Sequence, residues 1–139
     1  MKKINLSFLV VLMLSACTRS PEKPKLTISE YTQQAVIIKG VLEKILAETD
    51  YKKMHEIAQA VESSRAVNCI AISEECNVYG EVLNKIVEGT QKGLPGEAEN
   101  VAIYKKIGDL DRSITEGHEK LAEDWKLYIN AKSKAEEGK

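Results

Sequence analysis

The stretch Thr27–Leu46, TISEYTQQAVIIKGVLEKIL, decides the fold because its apolar residues recur every three or four positions. Such spacing places one stripe of side chains on a single face of a helix. The stripe comprises Tyr31, Ala35, Ile38, Leu42 and Ile45, with Val41 and Leu46 beside it. Thr27 and Glu30 match the capping-box pattern found at helix starts. The sequence therefore predicts a first helix over residues 28–48.

The same period continues after Thr49-Asp50, which can cap a second helix over residues 51–66. Its stripe comprises Tyr51, Met54, Ala58 and Val61, with Ile57 alongside. Because the interruption at Thr49-Asp50 is short, one long and slightly bent helix across both segments remains the alternative. That alternative gives a bundle of three helices instead of four.

Two further helices are predicted on either side of the stop signal Gly93-Leu94-Pro95-Gly96. The third spans residues 74–91, with a stripe of Cys76, Tyr79, Leu83 and Ile86, joined by Val82 and Val87. The last starts near Glu97, with a stripe of Ile103, Ile107, Leu110, Ile114, His118, Leu121, Trp125 and Tyr128. Glycine weakens a helix interior, so we expect a kink or break at Gly117. The tail after Ala131 has no apolar face, and we expect it to fray.

The first residues carry a targeting signal. Lys2 and Lys3 precede the apolar run Leu6–Ala16, which is shorter than the roughly 20 residues of a membrane-spanning helix. Such a run is typical of a secretory signal peptide. The four residues Leu14-Ser15-Ala16-Cys17 resemble a bacterial lipobox of the Gram-negative type. No family resemblance extends beyond residue 17.

The lipobox resemblance implies a lipid anchor. In such lipoproteins the chain is cleaved before the cysteine, here Cys17, which carries a thioether-linked diacylglycerol and an N-acyl chain. The residue after Cys17 is Thr18. In Gram-negative lipoproteins, an aspartate at this position resembles a signal for retention in the inner membrane. We therefore expect anchoring in the outer membrane, on the periplasmic face, with display on the cell surface as the alternative.

These observations divide the chain into four parts. Residues 1–16 form the signal peptide, and residues 17–26 the lipidated cysteine and a flexible tether with two prolines. Residues 27–131 form the folded domain, and residues 132–139 a polar tail. The predicted fold class is all-α: a small up-and-down bundle of three or four helices with one disulfide.

The disulfide is predicted between Cys69 and Cys76, because an exported domain folds in an oxidising compartment. Their separation is not that of a Cys-x-x-Cys motif, so the spacing fits neither a redox-active pair nor a zinc site. The bridge would join the end of the second helix to the first turn of the third. It is predicted to be structural.

No catalytic motif is found, and we predict that the protein is not an enzyme. His55 and His118 each precede a glutamate, but neither begins the His-Glu-x-x-His pattern of zinc proteases. A metal held by both histidines across the bundle is a weaker alternative, and we expect no cofactor besides the lipid on Cys17. Without residues 1–16 the chain has 18 basic and 21 acidic residues, a net charge of −3. That charge gives no reason to expect nucleic-acid binding.

The leading hypothesis of function is a protein-interaction module of an envelope system, such as an assembly factor, a secretion or conjugation accessory, or an exclusion lipoprotein. The candidate interface is Trp125, Tyr128 and Ile129, since aromatic residues are favoured at interface centres. Homodimerisation through the last helix is a further hypothesis. In the alternative interpretation, Trp125 packs in the core and is not part of an interface. The second hypothesis is a bundle that binds a metal or small ligand. The third and least favoured is an enzyme whose cleft assembles from residues far apart in the sequence.

Overall fold

The computed structural model describes residues 21–69 and 72–137, and these residues form four helices and no strand. The helices are α1 (Ile28–Ala47), α2 (Tyr51–Asn68), α3 (Ser73–Gly89) and α4 (Glu97–Glu137). The predicted all-α bundle is confirmed, in its four-helix form. None of the described helices is both long enough and apolar enough to cross a membrane.

The chain divides into two compact units. One is the helical bundle, Leu26–Ala122, which contains α1, α2, α3 and the larger part of α4. The other comprises the chain up to Lys25 together with Glu123–Lys139, of which residues 21–25 and 123–137 are described. The end of the bundle at Ala122 is nine residues before the boundary at 131 that the sequence indicated.

Side-chain caps mark the starts of both α1 and α2. Thr27 Oγ1 accepts a hydrogen bond from Glu30 N, and Glu30 Oε1 accepts one from Thr27 N, both at 3.1 Å. Asp50 caps α2 by accepting a hydrogen bond from Lys52 N at 3.0 Å. Since Glu48 between the helices is extended, the single-helix alternative is wrong.

The core of the bundle is the set of predicted stripes. All five stripe residues of α1 are buried, as are Met54 and Ala58 of α2 and the four stripe residues of α3. The stripe of α4 behaves differently, because only Ile103 and Leu110 are fully buried. Its later members are half-buried, so α4 carries more apolar surface than the bundle covers.

Helix α4 passes through Gly117 without a break and extends to Glu137. The expected break at Gly117 is therefore wrong, and the residues 132–137 that we expected to fray are helical. Alanine, lysine and glutamate dominate that last segment, and all three favour the helix. Gly117 serves a different purpose, because it allows a close approach between helices.

The predicted disulfide between Cys69 and Cys76 is present, with the two Cα atoms 5.7 Å apart. Cys69 is the C-cap of α2 and Cys76 lies in the first turn of α3, so the bridge closes the helical hairpin at its turn. Arg65 reinforces the same turn, because its Nη1 donates a hydrogen bond to the Cys76 carbonyl oxygen at 3.2 Å. Gly80 leaves room for this guanidinium, since a Cβ there would meet Arg65 Nε at 2.5 Å.

Reducing this disulfide should lower the free energy of unfolding by about 2.5 kcal/mol, the chain-entropy estimate for a loop of eight residues. Urea denaturation with and without reductant measures the difference. The protein should carry Cys17→Ser, so that Cys69 and Cys76 are its only cysteines. Equal stability of the oxidised and reduced forms would show that the hairpin does not depend on the bridge.

Candidate functional site

An open groove runs along the bundle between α1 and α4. The two helices are antiparallel there: Tyr31 faces His118 at one end of the groove, and Leu46 faces Tyr104 at the other. The groove has two connected parts with volumes of about 490 and 410 Å³. From Tyr31 to Ala47 it follows α1 for about 24 Å, at 1.5 Å per residue.

The walls of the groove are mainly apolar and accessible to solvent. Val36 of α1 keeps 66% of its surface exposed, and Tyr104 of α4 keeps 58%. Between them lies Gly40, where an added Cβ would meet no atom within 4 Å. An ion pair between Lys39 and Asp111 joins the two helices midway along the groove. The groove is therefore mainly apolar, with one ion pair across it.

A buried polar cluster closes the groove at its Tyr31 end. Tyr31 Oη lies 3.1 Å from Glu75 Oε1 of α3 and 2.9 Å from the Ile114 carbonyl oxygen of α4. Tyr31 is 4% exposed and Glu75 7%, so water does not compete for these bonds. A hydroxyl has one hydrogen, which is therefore shared between two acceptors. One side chain of α1 thus connects α3 and α4.

The tyrosine keeps its proton. Burial, together with the nearby charge of Glu75 and its hydrogen bond, raises the pKa of Tyr31 well above its usual range. The hydroxyl thus remains a donor over the whole physiological pH range. Glu75 lies in the first turn of α3, where the helix dipole favours a negative charge.

Gly117 makes this cluster possible. A Cβ at this position would collide with Glu75 Oε1 and Tyr31 Oη and would lie 3.1 Å from Glu75 Cδ. The backbone of α4 therefore approaches the cluster more closely than any larger residue would permit. The ring of His118, the next residue, is tilted against Tyr31 with the ring centroids 6.0 Å apart.

His55 of α2 and His118 of α4 lie beside opposite ends of α3. His55 Nδ1 is 2.9 Å from the hydroxyl of Thr90, the C-cap of α3, whereas His118 contacts Tyr31 beside Glu75 in the first turn. About 22 Å of helix separates these points. The structure does not bring the histidines together. In the described ranges, no three His, Cys, Asp or Glu side chains are grouped so as to hold a metal ion.

The predicted interface residues Trp125, Tyr128 and Ile129 lie in the second unit, on one face of the end of α4. They surround a hollow of about 480 Å³ whose walls also include Lys23 and Lys132. Trp125 is half-buried but does not belong to the core cluster of the described residues. Cys17, the predicted lipidation site, lies outside the described residues.

Sequence reasoning missed the groove residues Val36, Gly40 and Tyr104, and it missed Glu75. A signal for the groove was present, because Val36 adds an apolar residue to α1 outside its buried stripe. Glu75 carried no such signal, since an acid in the first turn of a helix is normally exposed.

The close approach at Gly117 predicts opposite outcomes for two similar substitutions in α4. Gly117→Ala should lower the free energy of unfolding by about 1–2 kcal/mol, because the displaced Tyr31 and Glu75 cost more than the helix propensity returns. Gly108→Ala should raise it by about 0.5–1 kcal/mol, since an added Cβ there meets nothing within 4 Å.

Urea denaturation of both variants and the parent protein makes the comparison. Circular dichroism on each variant establishes that the helical content is unchanged. Stabilisation by Gly117→Ala equal to that by Gly108→Ala would contradict the packing described for the cluster.

Searches with this chain match no protein-family model, no curated protein and no solved structure.

Proposed function

We propose that this protein is an outer-membrane lipoprotein whose helical bundle is a periplasmic interaction module. The anchor is the lipidated Cys17, and the lipobox Leu14–Cys17 supports it. The working part is the bundle, Leu26–Ala122. In this account the protein has no catalytic role and acts by binding another protein of the cell envelope.

The groove between α1 and α4 is the observation that carries this proposal. Single exposed apolar residues are ordinary on protein surfaces, but contiguous apolar patches mark interaction sites. Here Val36 and Tyr104 remain exposed along a channel whose other walls include Ala35, Ile107 and Ile114. Val36 and Tyr104 belong neither to the buried core nor to the side chains packed against it, so packing of the core does not account for them.

The shape of the groove favours a helix as its occupant. A channel of about 24 Å accommodates four to five turns, at 5.4 Å per turn. An amphipathic helix binds such a groove through apolar residues spaced three and four apart. The gap at Gly40 would admit a large side chain of the partner, and the Lys39–Asp111 pair offers both signs of charge for a polar contact.

The partner belongs to an envelope system. An assembly factor of the pilotin kind, an accessory of secretion or conjugation, and an exclusion lipoprotein would each need an anchored binding module of this size. The groove supports the binding role common to these three classes.

A small apolar ligand is the second candidate, and the larger part of the groove, beside Tyr31, favours it. Its volume of about 490 Å³ lies within the range of ligand pockets, and His118 supplies a polar group at one end. Small ligands are usually enclosed on most sides, however, whereas this channel is open along its length. A protein helix therefore fits the groove better.

Photo-cross-linking in intact cells tests the interaction directly. A photoreactive amino acid at Val36 should give one discrete adduct with an envelope protein, identified by mass spectrometry. The matched control places the same group at Val67 of α2, which is 80% exposed but outside the groove. No discrete adduct is expected there.

Blocking the groove should abolish the Val36 adduct. Gly40→Trp fills the channel, and because a Cβ at Gly40 meets no neighbour the fold should tolerate the change. Adducts that are identical from Val36 and Val67, or unaffected by Gly40→Trp, would show that the groove is not the binding site. The absence of any adduct from Val36 would count against the interaction module itself.

A further inference from the structure

The end of α4 carries a second surface, separate from the groove. Tyr128, Ile129 and Lys132 follow Trp125 by three, four and seven residues, so the four side chains share one helix face. The rings of Trp125 and Tyr128 pack edge to face, with centroids 5.9 Å apart and planes at 85°. Ile129 keeps 56% of its surface exposed. We call these three residues the aromatic face.

The aromatic face lies beside the start of the tether. Lys23 lines the same hollow as Trp125 and Tyr128, within one compact unit. Only six residue steps separate Lys23 from Cys17, the proposed lipidation site. A fully extended chain covers at most about 3.6 Å per residue, so Lys23 lies within about 22 Å of the anchor. The covalent chain therefore keeps the aromatic face near the bilayer surface.

The chemistry of this surface suits the headgroup layer. Tryptophan and tyrosine concentrate at membrane interfaces, where an apolar ring can be buried while its polar atom stays hydrated. Lys23 and Lys132 flank the rings, and lysine side chains extend their amines toward lipid phosphates. Among the described residues that line the hollow, two are lysines and one, Glu136, is acidic, so basic side chains outnumber acidic ones.

We propose that the aromatic face rests in the headgroup layer of the bilayer that holds the lipid anchor. Trp125, Tyr128 and Ile129 would enter the layer, while Lys23 and Lys132 would contact phosphates. The acyl chains attach the protein, and the aromatic face fixes how the end of α4 meets the membrane. This inference rests on the proposed anchor at Cys17.

Trp125 is the natural probe, because it is the only tryptophan in the chain. The acylated protein is purified from membranes and reconstituted into vesicles of phosphatidylethanolamine and phosphatidylglycerol, with or without bromines near the headgroup end of the acyl chains. If Trp125 is buried about 5–10 Å into the interface, such bromines should strongly quench its emission. The emission should also shift to shorter wavelength than that of the Cys17→Ser protein in solution.

Two substitutions on opposite faces of the helix form a matched pair. Ile129→Glu places a charge on the aromatic face and should abolish the bromine quenching of Trp125. Leu127→Glu makes the same chemical change about 160° around the helix from Ile129, at a residue that is 48% exposed, and should leave the quenching intact. Both variants should remain bound to vesicles, because several acyl chains suffice for attachment.

The outcomes separate this inference from the proposed function. Mass spectrometry of the N-terminal peptide first determines whether Cys17 is acylated, and an unmodified Cys17 would overturn both the anchor and this inference. Acylated, vesicle-bound protein whose Trp125 is not quenched would overturn the membrane contact alone. A Trp125 emission that shifts with protein concentration in solution would assign the aromatic face to contact with a second copy of the chain. Protection of Trp125 from quenching only in native envelopes would assign it to contact with a protein partner.

Discussion

The shared hydrogen bond of the Tyr31 hydroxyl is the interaction on which the bundle depends. It connects α1 to the carboxylate of Glu75 in α3 and to the Ile114 carbonyl of α4, at a point that excludes water. The hydrophobic effect is non-directional, so apolar burial alone specifies the relative positions of the three helices less strictly. A buried polar cluster specifies them more strictly, because any shift leaves a carboxylate without its donor. Gly117 is required by the same contact.

This constraint also determines what the bundle exposes. Because the Tyr31 side chain points into the bundle, the stripe of α1 faces the core. The neighbouring Val36 and Gly40 then line the groove beside α4. Helix α4 also contributes the aromatic face, which belongs to the other compact unit. One helix thus contributes to two surfaces: the groove proposed for a protein partner and the face proposed for the membrane.

Most of the fold could be predicted from the sequence, because helix periodicity, capping boxes and stop signals are local. The stripe of α1, the cap at Asp50 and the pairing of Cys69 with Cys76 are examples. The errors at Gly117 and at the groove arose because both features depend on contacts between residues far apart in the chain. Gly117 was read as a helix breaker from its propensity, whereas its role depends on Tyr31 and Glu75, which are 86 and 42 residues away in the chain. The groove was missed for the same reason, since it exists only once α1 and α4 lie side by side.

A double-mutant cycle on Tyr31→Phe and Glu75→Met tests the central interaction most directly. Unfolding free energies of the parent, both single variants and the double variant are measured by urea denaturation of the Cys17→Ser protein. Tyr31→Phe should cost about 1–3 kcal/mol, because it leaves the buried Glu75 carboxylate without its donor. Glu75→Met should cost less, because the Tyr31 hydroxyl keeps the Ile114 carbonyl oxygen as an acceptor. The double variant should cost less than the two single changes together, by about 1 kcal/mol or more. Additivity within about 0.5 kcal/mol would contradict the account, since it would mean that the two side chains do not stabilise one another.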